Sequence, residues 1–151
     1  PDTVVSIGHH AFCSCKSLKT ARLSHSLTFL SDFLFYCCIN LESINIPFGI
    51  ERIGIGSFRC CQKLSAIFIP DNVEEIGAEA FAGCINLSNV RLPQKLKKIG
   101  KDAFANCTNL NMISYNGTVE EWNSIQTKNL KASSIRQIKC IDGILDLNTE
   151  K

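Results

Sequence analysis

Nowhere does this chain of 151 residues carry an apolar run near the length of about 20 residues that a membrane-spanning helix needs. Charge of one sign is scarce too. Sixteen basic against 14 acidic residues leave a formal net charge of +2, too little for the footprint of a nucleic-acid-binding surface. Histidine occurs only at His9, His10 and His25, outside any pattern that would orient a nucleophile, so an enzyme is not expected. No Cys-x-x-Cys pair exists. The nearest thing to a ligand cluster, His9 and His10 with Cys13 and Cys15, lacks the paired spacing of a zinc site. A glycine-rich phosphate loop is also missing, so no metal and no cofactor are expected. The first residues show no basic-then-apolar pattern, but the chain opens on Pro1 rather than methionine and nothing about targeting follows.

What the chain has is 45% apolar residues, nine cysteines and a strict repeat. Phe-x-x-Cys-x-x-Leu occurs at Phe12/Cys15/Leu18, Phe35/Cys38/Leu41, Phe58/Cys61/Leu64, Phe81/Cys84/Leu87 and Phe104/Cys107/Leu110, in steps of 23 residues. A fixed period in the twenties with apolar anchors marks a solenoid, whose units bury a core only by stacking. The five cysteines of the motif read as reduced, buried filler, because a repeat places them as small apolar residues. Cys37 and Cys60 share a second repeat position, and the sequence leaves open whether they pair.

Further columns fall on the same period: Val4, Leu27, Ile50, Val73, Leu96, then Ile7, Leu30, Ile53, Ile76, Ile99. Glycine follows the latter at Gly8, Gly54, Gly77 and Gly100, with Ser31 in the second unit. The alternation after each motif Leu, as in Leu41 to Ile46, Leu64 to Ile69 and Leu87 to Leu92, predicts a strand closed by Pro47, Pro70 or Pro93. These strands should stack in parallel about 4.8 Å apart. A tight helical turn is expected at the Ala-Phe segments.

Leu-x-x-Ile-x-Leu with Ala-Phe-x-x-Cys-x-x-Leu at this period resembles the BspA-type leucine-rich repeat, over residues 1 to about 116. The resemblance implies an α/β repeat solenoid, a right-handed leucine-rich-repeat superhelix with a parallel β-sheet on one face and short helical turns opposite. It also implies a secreted or cell-surface protein that acts in adhesion, binding host matrix or cell-surface proteins. A rigid spacer rod presenting another domain is the alternative. Residues 1–116 are expected to form five repeats, 117–146 a C-terminal capping segment and 147–151 a frayed tail. Thr118-Val119-Glu120-Glu121 reads as a capping box that lays Trp122 over the last core layer. The ending, with Tyr115 to Thr118 and Ile138 to Gly143, is similar to that of bacterial members. Pro1-Asp2 aligns with Pro70-Asp71, so the chain is expected to be cut from a longer repeat array and to self-associate end to end near Pro1.

In such repeats the strand residues turned from the core line the concave surface. Here these are Thr20, Ser43, Ala66, Asn89 and Met112, and Arg22, Asn45, Phe68, Arg91 and Ser114. Phe68 stands out as an aromatic among polar neighbours, which is either an interaction hot spot or one of the scattered apolar residues every surface carries. The candidate partner-binding set is Phe68, Arg91, Asn45, Asn89, Arg22 and Met112. Phe29, Phe33, Tyr36 and Phe48 form either a second patch or packing that offsets Ser31 and Leu34. Asn86, Asn106 and Asn116 match the glycosylation acceptor pattern, which overlap with the repeat explains as chance.

Overall fold

The computed structural model describes residues 1–130 and 134–148. Period-2 alternation becomes a first row of strands: β1 (Thr20–Arg22), β3 (Ser43–Asn45), β5 (Ala66–Phe68), β7 (Asn89–Leu92), β9 (Met112–Tyr115) and β11 (Gln137–Lys139). Their ladder pairings are parallel, as the one-way winding of a solenoid requires, and an antiparallel β12 (Ile144–Asp146) follows on β11. The row is interrupted once. β1 pairs only with β3, and β5 begins a separate five-stranded sheet. Each proline after a strand ends its ladder and opens the next turn, its carbonyl accepting from Ile50, Val73 or Leu96 at 3.1–3.2 Å.

A second row runs along another side: β2 (Phe29–Leu30), β4 (Arg52–Ile53), β6 (Glu75–Ile76), β8 (Lys98–Ile99) and β10 (Gln126–Thr127), all parallel. The molecule is therefore a parallel-strand β-solenoid. Glycine directly after this row is a matter of space. A Cβ on Gly77 would stand 2.6 Å from the Ile55 nitrogen, so the coils approach too closely for a side chain there. Ser31, in glycine's place, is buried and donates its hydroxyl to the Ile7 carbonyl, while Leu34 fills core where the other units have Ala11, Ser57, Ala80 and Ala103.

The short helical turns expected opposite the strands are not helices. In every unit the segment carries two left-handed residues four positions apart: His10 and Ser14, Phe33 and Cys37, Gly56 and Cys60, Glu79 and Gly83, Asp102 and Asn106. Those reversals turn alternate N–H groups out along the solenoid. Gly56, Phe58 and Cys60 donate to Ala78, Ala80 and Ala82 of the next coil at 2.8–2.9 Å, whereas Ser57, Arg59 and Cys61 close i−3 turns. A helix would instead turn these N–H groups along its own axis, toward carbonyls four residues back, and none toward the next coil. The only α-helix among the described residues is α1 (Val119–Ser124).

The core is one column. Phe12, Phe35, Phe58, Phe81 and Phe104 stack with ring centroids 5.3–5.6 Å apart and planes within 11° of parallel. Beside the rings each thiol reaches the coil before it. Cys38, Cys61, Cys84 and Cys107 donate to the carbonyls of Phe12, Phe35, Phe58 and Phe81 at 3.0–3.3 Å. Each such thiol is a second donor to its carbonyl, which also accepts from the N–H of Cys15, Cys38, Cys61 or Cys84 at 3.1–3.3 Å.

After the fifth motif the capping box forms. Thr118 Oγ1 accepts from the Glu121 N–H at 3.2 Å, and Glu121 Oε2 accepts from the Thr118 N–H at 2.8 Å. That places buried Trp122 edge-on to Tyr115, centroids 5.4 Å apart. β10 and β11 then extend both rows by one more strand. Of the expected tail, Leu147 donates its N–H to Arg136 and Asn148 donates to Asp146, while residues 149–151 lie outside the described residues.

Candidate binding face

Strand register assembles the candidate residues into two exposed rows. Arg22 stands across from Asn45, Phe68 from Arg91, Arg91 from Ser114 and Ser114 from Lys139. One strand position over, Thr20 faces Ser43, Ala66 faces Asn89 and Met112 faces Gln137. Lys139 and Gln137 were not foreseen on this face. The step from β9 to β11 is 25 residues rather than 23, so the repeat alignment does not reach them.

Phe68 is 45% exposed and does not stand alone. Phe48, 67% exposed, meets it edge to face with centroids 6.3 Å apart. Phe48 thus belongs to the strand face and not with Phe29, Phe33 and Tyr36, and the signal was there in the sequence. It shares a column with Asp2, His25, Asp71 and Gln94, where it is the one apolar member. Phe33 and Tyr36 pack locally instead. Phe33 stacks on His10 at 4.9 Å and covers Gly56, where a Cβ would come within 2.6 Å of its ring, and Arg59 lies 5.8 Å over Tyr36.

Arg91 is held by its Nε, which donates to Asn116 Oδ1 at 2.6 Å and leaves the terminal nitrogens of the guanidinium for another acceptor. It lines a cleft of about 440 Å³ at the strand ends with Asp71, Gln94, Lys95, Asn116 and Ile141. Lys95 is steadied by Asn72 and Gln94 by Glu121, both at 2.8 Å. Asn89 and Met112 meet in a second cleft of about 500 Å³, with Ser88, Asn109, Asn111 and Ser114. The structure therefore gathers Phe68, Arg91, Asn89 and Met112 on adjoining strands. Arg22 is set apart, paired with Asp2 at 3.1 Å, and Asn45 lies across the break between β3 and β5.

The face offers aromatic surface, a guanidinium and amides, which suits apolar packing and hydrogen bonding to a polypeptide. Reactive groups lie elsewhere. His9 sits 3.7 Å from Asp32, and burial pushes the ladder thiols up, Cys38 to about 11 and Cys107 to about 12. Among the described residues no three metal-ligating side chains are grouped, and no helix is long and apolar enough to cross a membrane.

A family model for the BspA type leucine-rich repeat region matches residues 1–111 and 31–150, with 6 copies. The chain is similar to a leucine-rich cell surface protein from Faecalibacterium prausnitzii A2-165, at 35% identity and a TM-score of 0.81, covering 83% of this chain and 33% of that one. It is similar to a leucine-rich repeat protein of T. pallidum, at 26% identity and a TM-score of 0.78, covering 90% and 63%. A leucine-rich repeat protein from Bacteroides ovatus ATCC 8483 is 30% identical with a TM-score of 0.71, covering 86% and 32%. The chain thus spans about a third of two of these proteins and under two-thirds of the other. No match was found among curated proteins.

Proposed function

The chain belongs to the BspA type leucine-rich repeat family, and on that premise we propose that it is a non-catalytic protein-binding module taking its partner on the strand face around Phe68 and Arg91. The observation that carries this reading is the Phe48–Phe68 pair, two largely exposed aromatic rings beside a held arginine. Exposed aromatics and arginine over a water-excluding rim are the usual composition of an interface hot spot. Residence at the cell surface or outside the cell, and adhesion to a host matrix or cell-surface protein, complete the proposal. They rest on the family and on similarity to a protein named for the cell surface.

The test is binding of the purified chain to immobilised matrix proteins, with the double variant Phe68→Ala, Arg91→Ala beside the wild type. Loss of at least tenfold in affinity is expected, since hot-spot truncations cost about 2 kcal/mol or more. Unchanged affinity would move the site off this face. If no matrix or cell-surface protein binds, the spacer rod becomes the better account.

The first coil supplies a second contact in the same reading. Val5 and Phe12 are exposed there, and sedimentation should show end-to-end association that Val5→Asp abolishes.

A further inference from the structure

All nine cysteines are free, and two groups among them contrast. The ladder thiols of Cys38, Cys61, Cys84 and Cys107 are buried and donate to carbonyls. Cys37 and Cys60 are half-buried at the surface of the turns, and neither is held by a carbonyl.

The two occupy the same place on neighbouring coils. Cys37 donates its N–H to the Arg59 carbonyl at 2.8 Å, directly before Cys60, and Phe35 and Phe58, two residues earlier in each coil, stack at 5.6 Å. Both have left-handed backbones, φ +56° and +62°, so their Cα–Cβ bonds leave the chain in the same direction. A coil separation of this size falls within the roughly 4.4–6.8 Å between Cα atoms that a disulfide spans. The thiols also sense each other: burial first, and then the Cys37 thiol beside it, push Cys60 up. In the reduced chain Cys60 Sγ lies toward Gly83, where an added Cβ would stand 3.2 Å away. Rotation about χ1 of one partly exposed side chain carries it toward Cys37.

We propose that Cys37 and Cys60 form the redox-active site of this chain, closing a cross-coil disulfide by exchange with a low-molecular-weight disulfide such as oxidised glutathione. One cysteine thiolate attacks a sulfur of the small disulfide and releases one thiolate, giving a mixed disulfide on the protein. The second cysteine thiolate attacks the protein sulfur of that bond and releases the other. Two protein thiols are oxidised and one small disulfide is reduced to two thiols, the two protons lost by the cysteines ending on the two released thiolates. The ladder thiols Cys38, Cys61, Cys84 and Cys107 do not compete, being buried and held, and the partly exposed Cys13 and Cys15 lie on the first coil, two coils from Cys60. The proposal does not depend on the binding role of the strand face.

The folded chain is incubated with oxidised glutathione, quenched with acid, denatured and alkylated with iodoacetamide for mass spectrometry. Two of the nine thiols should escape alkylation, and trypsin should release peptide 23–52 joined to peptide 60–63. Cys37→Ser and Cys60→Ser should each abolish the bond. The column already holds a serine at Ser14, and circular dichroism reports whether the variants fold. On the unaltered chain, one equivalent of phenylarsine oxide, which bridges neighbouring thiols, should protect the same two cysteines. Full alkylation after oxidation, a bond that survives either serine variant, or a glutathione adduct that never resolves would each overturn the proposal.

Discussion

A cysteine repeated down a solenoid acts first as a small apolar filler, yet here its thiol proton is also spoken for. The thiols of Cys38, Cys61, Cys84 and Cys107 each add a second donor to a phenylalanine carbonyl of the preceding coil, so the residue that packs the core also ties one coil to the next. Burial raises Cys38 to about 11 and Cys107 to about 12, from an ordinary value of 9.0. Cys61 and Cys84 move in the same direction for the same reason. Between those values the unfolded chain has lost these protons and the folded chain keeps them, so stability must fall as pH rises. It is intact below about pH 9 and is lost toward pH 11–12, each thiol contributing a slope of up to about 1.4 kcal/mol per pH unit. Urea midpoints in the presence of a reductant should hold steady from pH 7 to 8.5 and drop from pH 9 to 10.5. A flat profile would mean that the thiols ionise freely in the folded chain. At the same scale Cys84→Ala should cost about 1–2 kcal/mol, because a fully buried sulfur is lost from the core while the Phe58 carbonyl keeps the Cys61 N–H as its donor.

Among the elements, the turns carry the sharpest constraint. Gly77→Ala would drive a methyl group to 2.6 Å from the Ile55 nitrogen and should cost about 2–3 kcal/mol by overpacking, read from the urea midpoint. A loss under about 0.5 kcal/mol would mean that the coils can separate. In α1, Thr118→Ala removes the acceptor of the capping box and should cost about 1 kcal/mol, since a helix of 6 residues has little stability of its own. The first strand row was legible in the alternation around Ile44, Ile67 and Val90, and the capping box in Thr118 and Glu121. The second row was not, because two residues such as Phe29 and Leu30 are too few to alternate. The turns were misread as helical because a left-handed residue has no side-chain signature when Phe33, Cys60 and Glu79 adopt it alike. Of the binding face, the repeat revealed Phe68 and Arg91. Phe48 was visible as an apolar residue in a polar column, but only contact in space joined it to Phe68.

For the whole molecule, stability is a sum over neighbouring coils, so damage should scale with the number of interfaces a residue serves. Phe58 is fully buried between Phe35 and Phe81, whereas Phe12 is 36% exposed and stacks on Phe35 alone. Phe58→Ala should therefore cost about 3–5 kcal/mol, and Phe12→Ala less than half as much. Equal losses would point to a core that fails as one unit. The proposed binding surface lies on the faces this column leaves open, and hydrogen exchange with a bound partner tests it most directly. Partner binding should slow exchange in peptides covering 66–72 and 89–95, and leave the turn segments 56–61 and 79–84 unchanged. Protection confined to the turn segments, with none at 66–72, would contradict it.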